Sequence, residues 1–133
     1  MQRIEHNGLL LAIIVNETEF KSGMEFYGSE DAPLQFGSCV YNQGKVLQPH
    51  IHKVRERTLC HKTLECLYII RGRLLATFYS LSKEPVIDMV LTSGSLVMLY
   101  DGGHGFEILE DDTIFIEVKN GAYVSVEADK EKF

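Results

Sequence analysis

The sequence predicts an all-β domain built as a closed barrel or jelly roll, and three observations carry that expectation. Short apolar or alternating runs recur along the 133 residues, punctuated by Gly, Asn and Asp, which is the pattern of strands and turns. Helical periodicity is nearly absent: the one stretch where a helical turn could hide, Glu17 to Glu30, is weakened by Gly23 and Gly28. Several runs are apolar on both faces, as in Leu67-Tyr68-Ile69-Ile70, where alternate side chains point to opposite sides of a sheet. Such strands need cover twice. A barrel or jelly roll with a second surface under another sheet or subunit provides it and also removes open edges.

In chain order, strands are predicted at Leu10 to Val15, Phe36 to Asn42, Pro49 to Lys53, Glu65 to Arg71, Arg73 to Tyr79, Val86 to Leu91, Ser95 to Leu99, Gly105 to Leu109, Thr113 to Lys119 and Tyr123 to Val126. The first run, Leu9 to Val15, is too short to span a bilayer, and no small-residue cleavage site follows it, so a buried strand fits best. Gly72 turns the chain between two strands, with Arg71 and Arg73 as rim residues. No internal repeat, linker or low-complexity stretch invites a division, so residues 1–133 are expected to form a single domain.

Composition narrows the class further. With 45% hydrophobic and 24% charged residues, 11 Gly and 3 Pro, the chain is neither disordered nor collagen-like nor a coiled coil. A chain of this size removes roughly two-thirds of its unfolded surface from water, enough for a core without disulfides. Cys39, Cys60 and Cys66 are an odd set at no framework spacing, which points to a reduced, cytoplasmic protein. The formal charge of −6 argues against nucleic acid or an anionic membrane as partner. Yet between Lys45 and Arg73 seven bases face two acids. That run is either a solvated loop or a positive rim that attracts a small anionic ligand.

Three places carry candidate chemistry. In Pro49-His50-Ile51-His52, a strand conformation would send both imidazoles to one face, where they can meet one metal ion. Glu65 opens an apolar strand and shares its face with Leu67 and Ile69; a carboxylate there is costly unless it is paired, bound to metal or able to reach water. In Asp101-Gly102-Gly103-His104-Gly105-Phe106, glycines form a tight connection that sets His104 at the start of a strand, with Phe106 and Ile108 as inward neighbours.

In these residues the chain resembles the cupin superfamily. Gly44, five residues, His50 and His52, then Glu65, six residues and Gly72 follow the first cupin motif, and Gly94 to His104 approaches the second. The chain departs from the pattern in carrying twelve residues, Lys53 to Leu64, between His52 and Glu65. Glu56 has the short spacing but sits among charged residues with Thr63 seven positions on, so Glu65 is the counterpart and the extra residues are an inserted loop. The second motif is one residue short, with Tyr100 where proline is usual and Ile108 where asparagine is usual.

The resemblance implies a cupin-type double-stranded β-helix in which His50, His52, Glu65 and His104 hold one divalent transition metal, Fe, Mn, Ni or Zn. The metal chemistry favours a metal-dependent enzyme, and the local excess of bases alone suggests its substrate, a small anionic molecule such as a sugar derivative or oxo acid. Two other classes stand beside it: a metal-free nucleotide-sugar isomerase or epimerase with a histidine of the HxH pair as base, and a non-catalytic binding or sensing barrel. The segment Lys53 to Leu64, with Arg55, Arg57, Lys62 and His61, is expected to hang over the site as a positive lid. Tyr68, Tyr79 and Tyr100 suit a pocket wall, and Cys66 a small core hydrophobe. The doubly apolar strands predict a homodimer, because a monomer would expose too much hydrophobic surface.

Overall fold

The computed structural model describes residues 1–28, 34–50, 62–120 and 131–133. The strands described are β1 (Gln2–His6), β2 (Leu9–Asn16), β3 (Gly23–Tyr27), β4 (Phe36–Val40), β5 (Glu65–Arg71), β6 (Arg73–Tyr79), β7 (Pro85–Thr92), β8 (Ser95–Leu99), β9 (Gly103–Ile108) and β10 (Ile114–Lys119). The chain divides into two compact units. Met1–Glu19 and Lys62–Phe133 form one; Phe20–His61 forms the other. The smaller unit contains the antiparallel pair β3-β4. The larger contains a five-stranded sheet, β1-β2-β8-β5-β10, and a three-stranded sheet, β7-β6-β9. Every pairing is antiparallel. The all-β class expected from the sequence is the class observed.

Strands β5, β6 and β8 begin and end at the residues that alternation and punctuation mark. Two strands were not expected. β1 has one apolar side chain, Ile4, which is buried; its other residues are polar, so pairing with β2 and not its own pattern makes it a strand. β3 lies in the stretch from Glu17 to Glu30 that could have hidden a helical turn, and the helical part there is a single 3-10 turn at Glu17–Glu19. Phe26 lies opposite Gly37 across the β3-β4 pair and lays its ring over it. The strand predicted at Pro49 to Lys53 is not seen at Pro49 or His50, which lie outside any strand. Residues 51–53 and the predicted strand Tyr123 to Val126 lie outside the described residues.

The core of the larger unit lies between its two sheets. Ile14, Leu67, Ile69, Val97 and Leu99 come from the five-stranded sheet; Leu74, Ala76, Phe78 and Leu91 come from the other. Each large apolar side chain buried there contributes about 1.5–3 kcal/mol relative to leaving it in water. The chain repeatedly crosses between the sheets. β5 passes at Gly72 into β6, β7 returns to β8, β8 crosses again to β9, and β9 returns to β10. A side chain at the end of β5 can therefore meet one at the start of β9 across the core.

β2 and β8 are buried on both faces: Ile13, Val15, Leu96 and Met98 are shielded as fully as the residues between the sheets. β5 alternates instead. Its inward Glu65, Leu67 and Ile69 are buried, Cys66 and Tyr68 are half-buried, and Ile70 is exposed. Burial pushes the Cys66 thiol up, as suits an inert apolar filler.

Candidate functional site

Glu65 and His104 reach one place from opposite sheets. Glu65 is the first residue of β5, on the face that buries Leu67 and Ile69, with Leu99 and Lys119 beside it on the neighbouring strands. Its side chain is 5% exposed. His104 is the second residue of β9 and lies opposite Phe78 on β6. Its Nε2 stands 3.0 Å from Oε2 of Glu65. The His104 ring is tilted by 37° to that of Phe106, with centroids 5.3 Å apart. Phe106 packs against the core as expected. Ile108 does not. It ends β9 with Glu107, and both face solvent, so the inward row of this strand stops at Phe106.

The approaches to both residues are held by hydrogen bonds. Asn120, just past β10, accepts the Leu64 N–H on Oδ1 at 2.7 Å, and its Nδ2 donates to the Lys62 carbonyl at 3.1 Å. Its own N–H donates to the Leu64 carbonyl at 3.3 Å. The Lys62 ammonium pairs with the Asp101 carboxylate, whose Oδ1 accepts the Gly102 N–H at 2.9 Å. Lys62 precedes Glu65 by three residues, and Asp101 precedes His104 by three. One ion pair thus ties together the two turns that present the site. Asn120→Ala removes two side-chain hydrogen bonds and leaves a part-buried N–H to find water, so it should cost about 1–3 kcal/mol in urea denaturation. Asn120→Asp retains the acceptor and should fall between.

Both residues line an open cleft of about 840 Å³. Leu99, Phe106 and Phe115 give it an apolar wall, and Tyr79 and Phe133, edge to face at 5.1 Å, stand at another side. Its charged lining is mixed: Lys83, Lys119 and Lys132 stand with Glu65, Asp101, Glu117 and Glu131. Lys83 is paired with Glu131. The described wall therefore has no cationic excess; Lys53, Arg55 and Arg57 of the basic run lie outside the described residues. Of the three tyrosines weighed for a pocket wall, Tyr79 lines the cleft. Tyr68 donates its hydroxyl to Glu17 at 2.8 Å, a bond that pushes its pKa up, and the Tyr100 hydroxyl donates to the Met98 sulfur at 3.6 Å.

The other expected ligands are placed differently. His50 is exposed and lies in the smaller unit, its Nδ1 donating to the Gln48 carbonyl at 3.0 Å. His52, Glu56 and His61 lie outside the described residues, as does the loop from Lys53 to His61. The end of the expected lid, Lys62 to Leu64, is bound to Asn120 and Asp101, and Leu64 is buried. Lys62 was expected only as a charge on the lid, and Asp101 and Asn120 were not singled out from the sequence as site-forming. The closeness of Asp101 to His104 was the available signal; nothing local marks Asn120, whose partners are more than fifty positions away. Among the described residues, no group of three His, Cys, Asp or Glu side chains stands close enough to hold one metal ion. No helix among the described residues is long and apolar enough to cross a membrane. No family model, curated protein or solved structure matches this chain.

Proposed function

We propose that this chain is a cupin-like metal-binding protein that handles a small molecule in the cleft between its two sheets, with Glu65 and His104 as metal ligands. The observation that carries the reading is the buried Glu65 carboxylate with Oε2 3.0 Å from Nε2 of His104. A carboxylate sharing its face with Leu67 and Ile69 needs a cation or a proton donor to offset its desolvation. The donor set fits a divalent transition metal, since two ligands side by side on one ion at about 2.1 Å each come to about 3 Å from one another. The repeated crossing of β5 to β10 between the sheets supports the jelly-roll part of the reading. The four-ligand set of His50, His52, Glu65 and His104 is the expectation carried from the sequence.

A metal bound there would act as a Lewis acid, polarising a carbonyl or lowering the pKa of a bound hydroxyl or water. The protein's own part is to fix the two donors through the Lys62, Asp101 and Asn120 contacts and to bury the carboxylate. Leu99, Phe106 and Phe115 give the ligand an apolar surface, and the volume suits a small molecule. An anionic ligand is proposed on the basic run of the sequence alone.

The same 3.0 Å contact favours a second reading. With no third metal-type donor beside them among the described residues, His104 and Glu65 form an acid–base dyad in which the carboxylate orients the imidazole. Elemental analysis separates the two. Metal binding predicts about one equivalent of Fe, Mn, Ni or Zn in the purified protein, or its uptake from solution. Metal below roughly 0.1 equivalents, with no uptake of any of the four ions, would overturn the first reading and leave the dyad.

A further inference from the structure

We propose that Phe133 and Tyr79 are positioning residues for His104: their rings cover the glycines on either side of it from the outer face of β9, and so hold the imidazole against Glu65 on the inner face. The inference rests on the reading of His104 as a working residue of the site, whether as a metal ligand or as one half of the dyad.

Side chains alternate along a strand, so His104 and Phe106 share the face of β9 that turns to the core, while Gly103 and Gly105 lie on the opposite one. At its start, β9 therefore has no side chain of its own to pack on the outer face. Glycine in a strand costs backbone entropy and leaves the strand weakly held. Here the residue between the two glycines is the one whose Nε2 stands 3.0 Å from a buried carboxylate. Aromatic rings laid over glycines in a sheet restore the missing packing.

Both rings are in place. Tyr79 stands opposite Gly103 on β6 and follows Phe78, whose side chain fills the core, so the Tyr79 side chain emerges on the outer face. Its ring reaches along that face to Gly105, where Cε2 lies 3.8 Å from the place a Cβ would take. Phe133 covers Gly103: a Cβ there would meet Cζ of the Phe133 ring at 3.1 Å and Cβ of Tyr79 at 3.3 Å. The two rings meet edge to face, their centroids 5.1 Å apart. Lys83 anchors the segment that carries Phe133, its ammonium paired with Glu131 and 5.5 Å from the centroid of the Phe133 ring. Gly103 has no left-handed φ that would demand glycine. What its missing Cβ provides is room for the ring. Phe133 is 65% exposed, so it adds little to the core and its effect is local to β9.

Amide hydrogen exchange of the full chain, free of metal and followed by NMR, tests this. Phe133→Ala should speed exchange of the protected β9 amides between Gly103 and Phe106 at least about fivefold, while those of β8 keep their rates. Phe133→Tyr retains the ring and should exchange as the wild type does. In Gly103→Ala/Phe133→Ala the added methyl takes up the space the ring has left, and exchange should return to within about twofold of wild type. Zinc affinity should fall at least about threefold in Phe133→Ala and recover in both other variants. Unchanged β9 exchange in Phe133→Ala, an equal increase in β8, or a double variant that exchanges as fast as Phe133→Ala overturns the proposal. So does faster β9 exchange with zinc affinity held. A wild-type chain that takes up no zinc overturns the metal reading instead, and the exchange rates then decide the role of the rings.

Discussion

Glu65→Gln should weaken divalent-metal binding by at least about 100-fold, a loss at or beyond the upper end of that for an outer-shell partner, while Glu56→Gln leaves it unchanged. The substitution keeps the shape of the side chain and an acceptor oxygen near His104, but removes the negative charge that offsets the charge of the ion. Its effect on the metal-free fold should be small. The Gln side chain keeps a polar atom within hydrogen-bond reach of His104 and no longer buries a carboxylate charge, so the weaker hydrogen bond is offset by a smaller desolvation cost. Zinc titration by calorimetry and urea denaturation of the metal-free protein measure the two effects separately. Equal loss of affinity in both variants, or loss in Glu56→Gln alone, would move the ligand from β5 into the segment before it.

This prediction rests on the part of the molecule most legible in the sequence. Glu65 could be placed on one face with Leu67 and Ile69 because side chains two apart in a strand share a side, and burial follows that alternation from Glu65 through Leu67 to Ile69. His104 was legible for a different reason, since glycines on both sides leave few ways to seat a histidine beside a strand. Their meeting was not legible from pattern. It depends on β5 and β9 lying in different sheets whose faces oppose, which no local periodicity encodes. β1 was missed because its strand state derives from β2, and Asn120 because hydrogen bonds to Lys62 and Leu64 span most of the larger unit's sequence. His50 shows the converse: the HxH spacing orients two imidazoles only on a strand, and His50 is not on one.

Gly102→Ala should destabilise the protein by about 2–4 kcal/mol and disturb the site with it, because two separate costs fall on that residue. Gly102 has φ of +70°, a left-handed conformation that costs a residue with a Cβ roughly 1–2 kcal/mol. A Cβ there would also run into the carbonyl oxygen of Tyr79 and press on the Leu11 side chain. The carbonyl belongs to the last residue of β6 and cannot rotate away as a side chain could, so the turn itself must shift. That turn carries Asp101, bonded to Lys62, and leads directly into His104, which means relief of the clash displaces the imidazole from Glu65. Gly8→Ala is the control: φ is +78° and nothing stands within 4 Å of the added carbon, so it should lose only the backbone cost. Urea denaturation should show Gly102→Ala losing at least about 1 kcal/mol more than Gly8→Ala, with zinc affinity falling in the first and holding in the second. Equal losses in stability, with affinity unchanged in both, would mean that the turn yields without moving His104 and that the close packing against Tyr79 does not position the site.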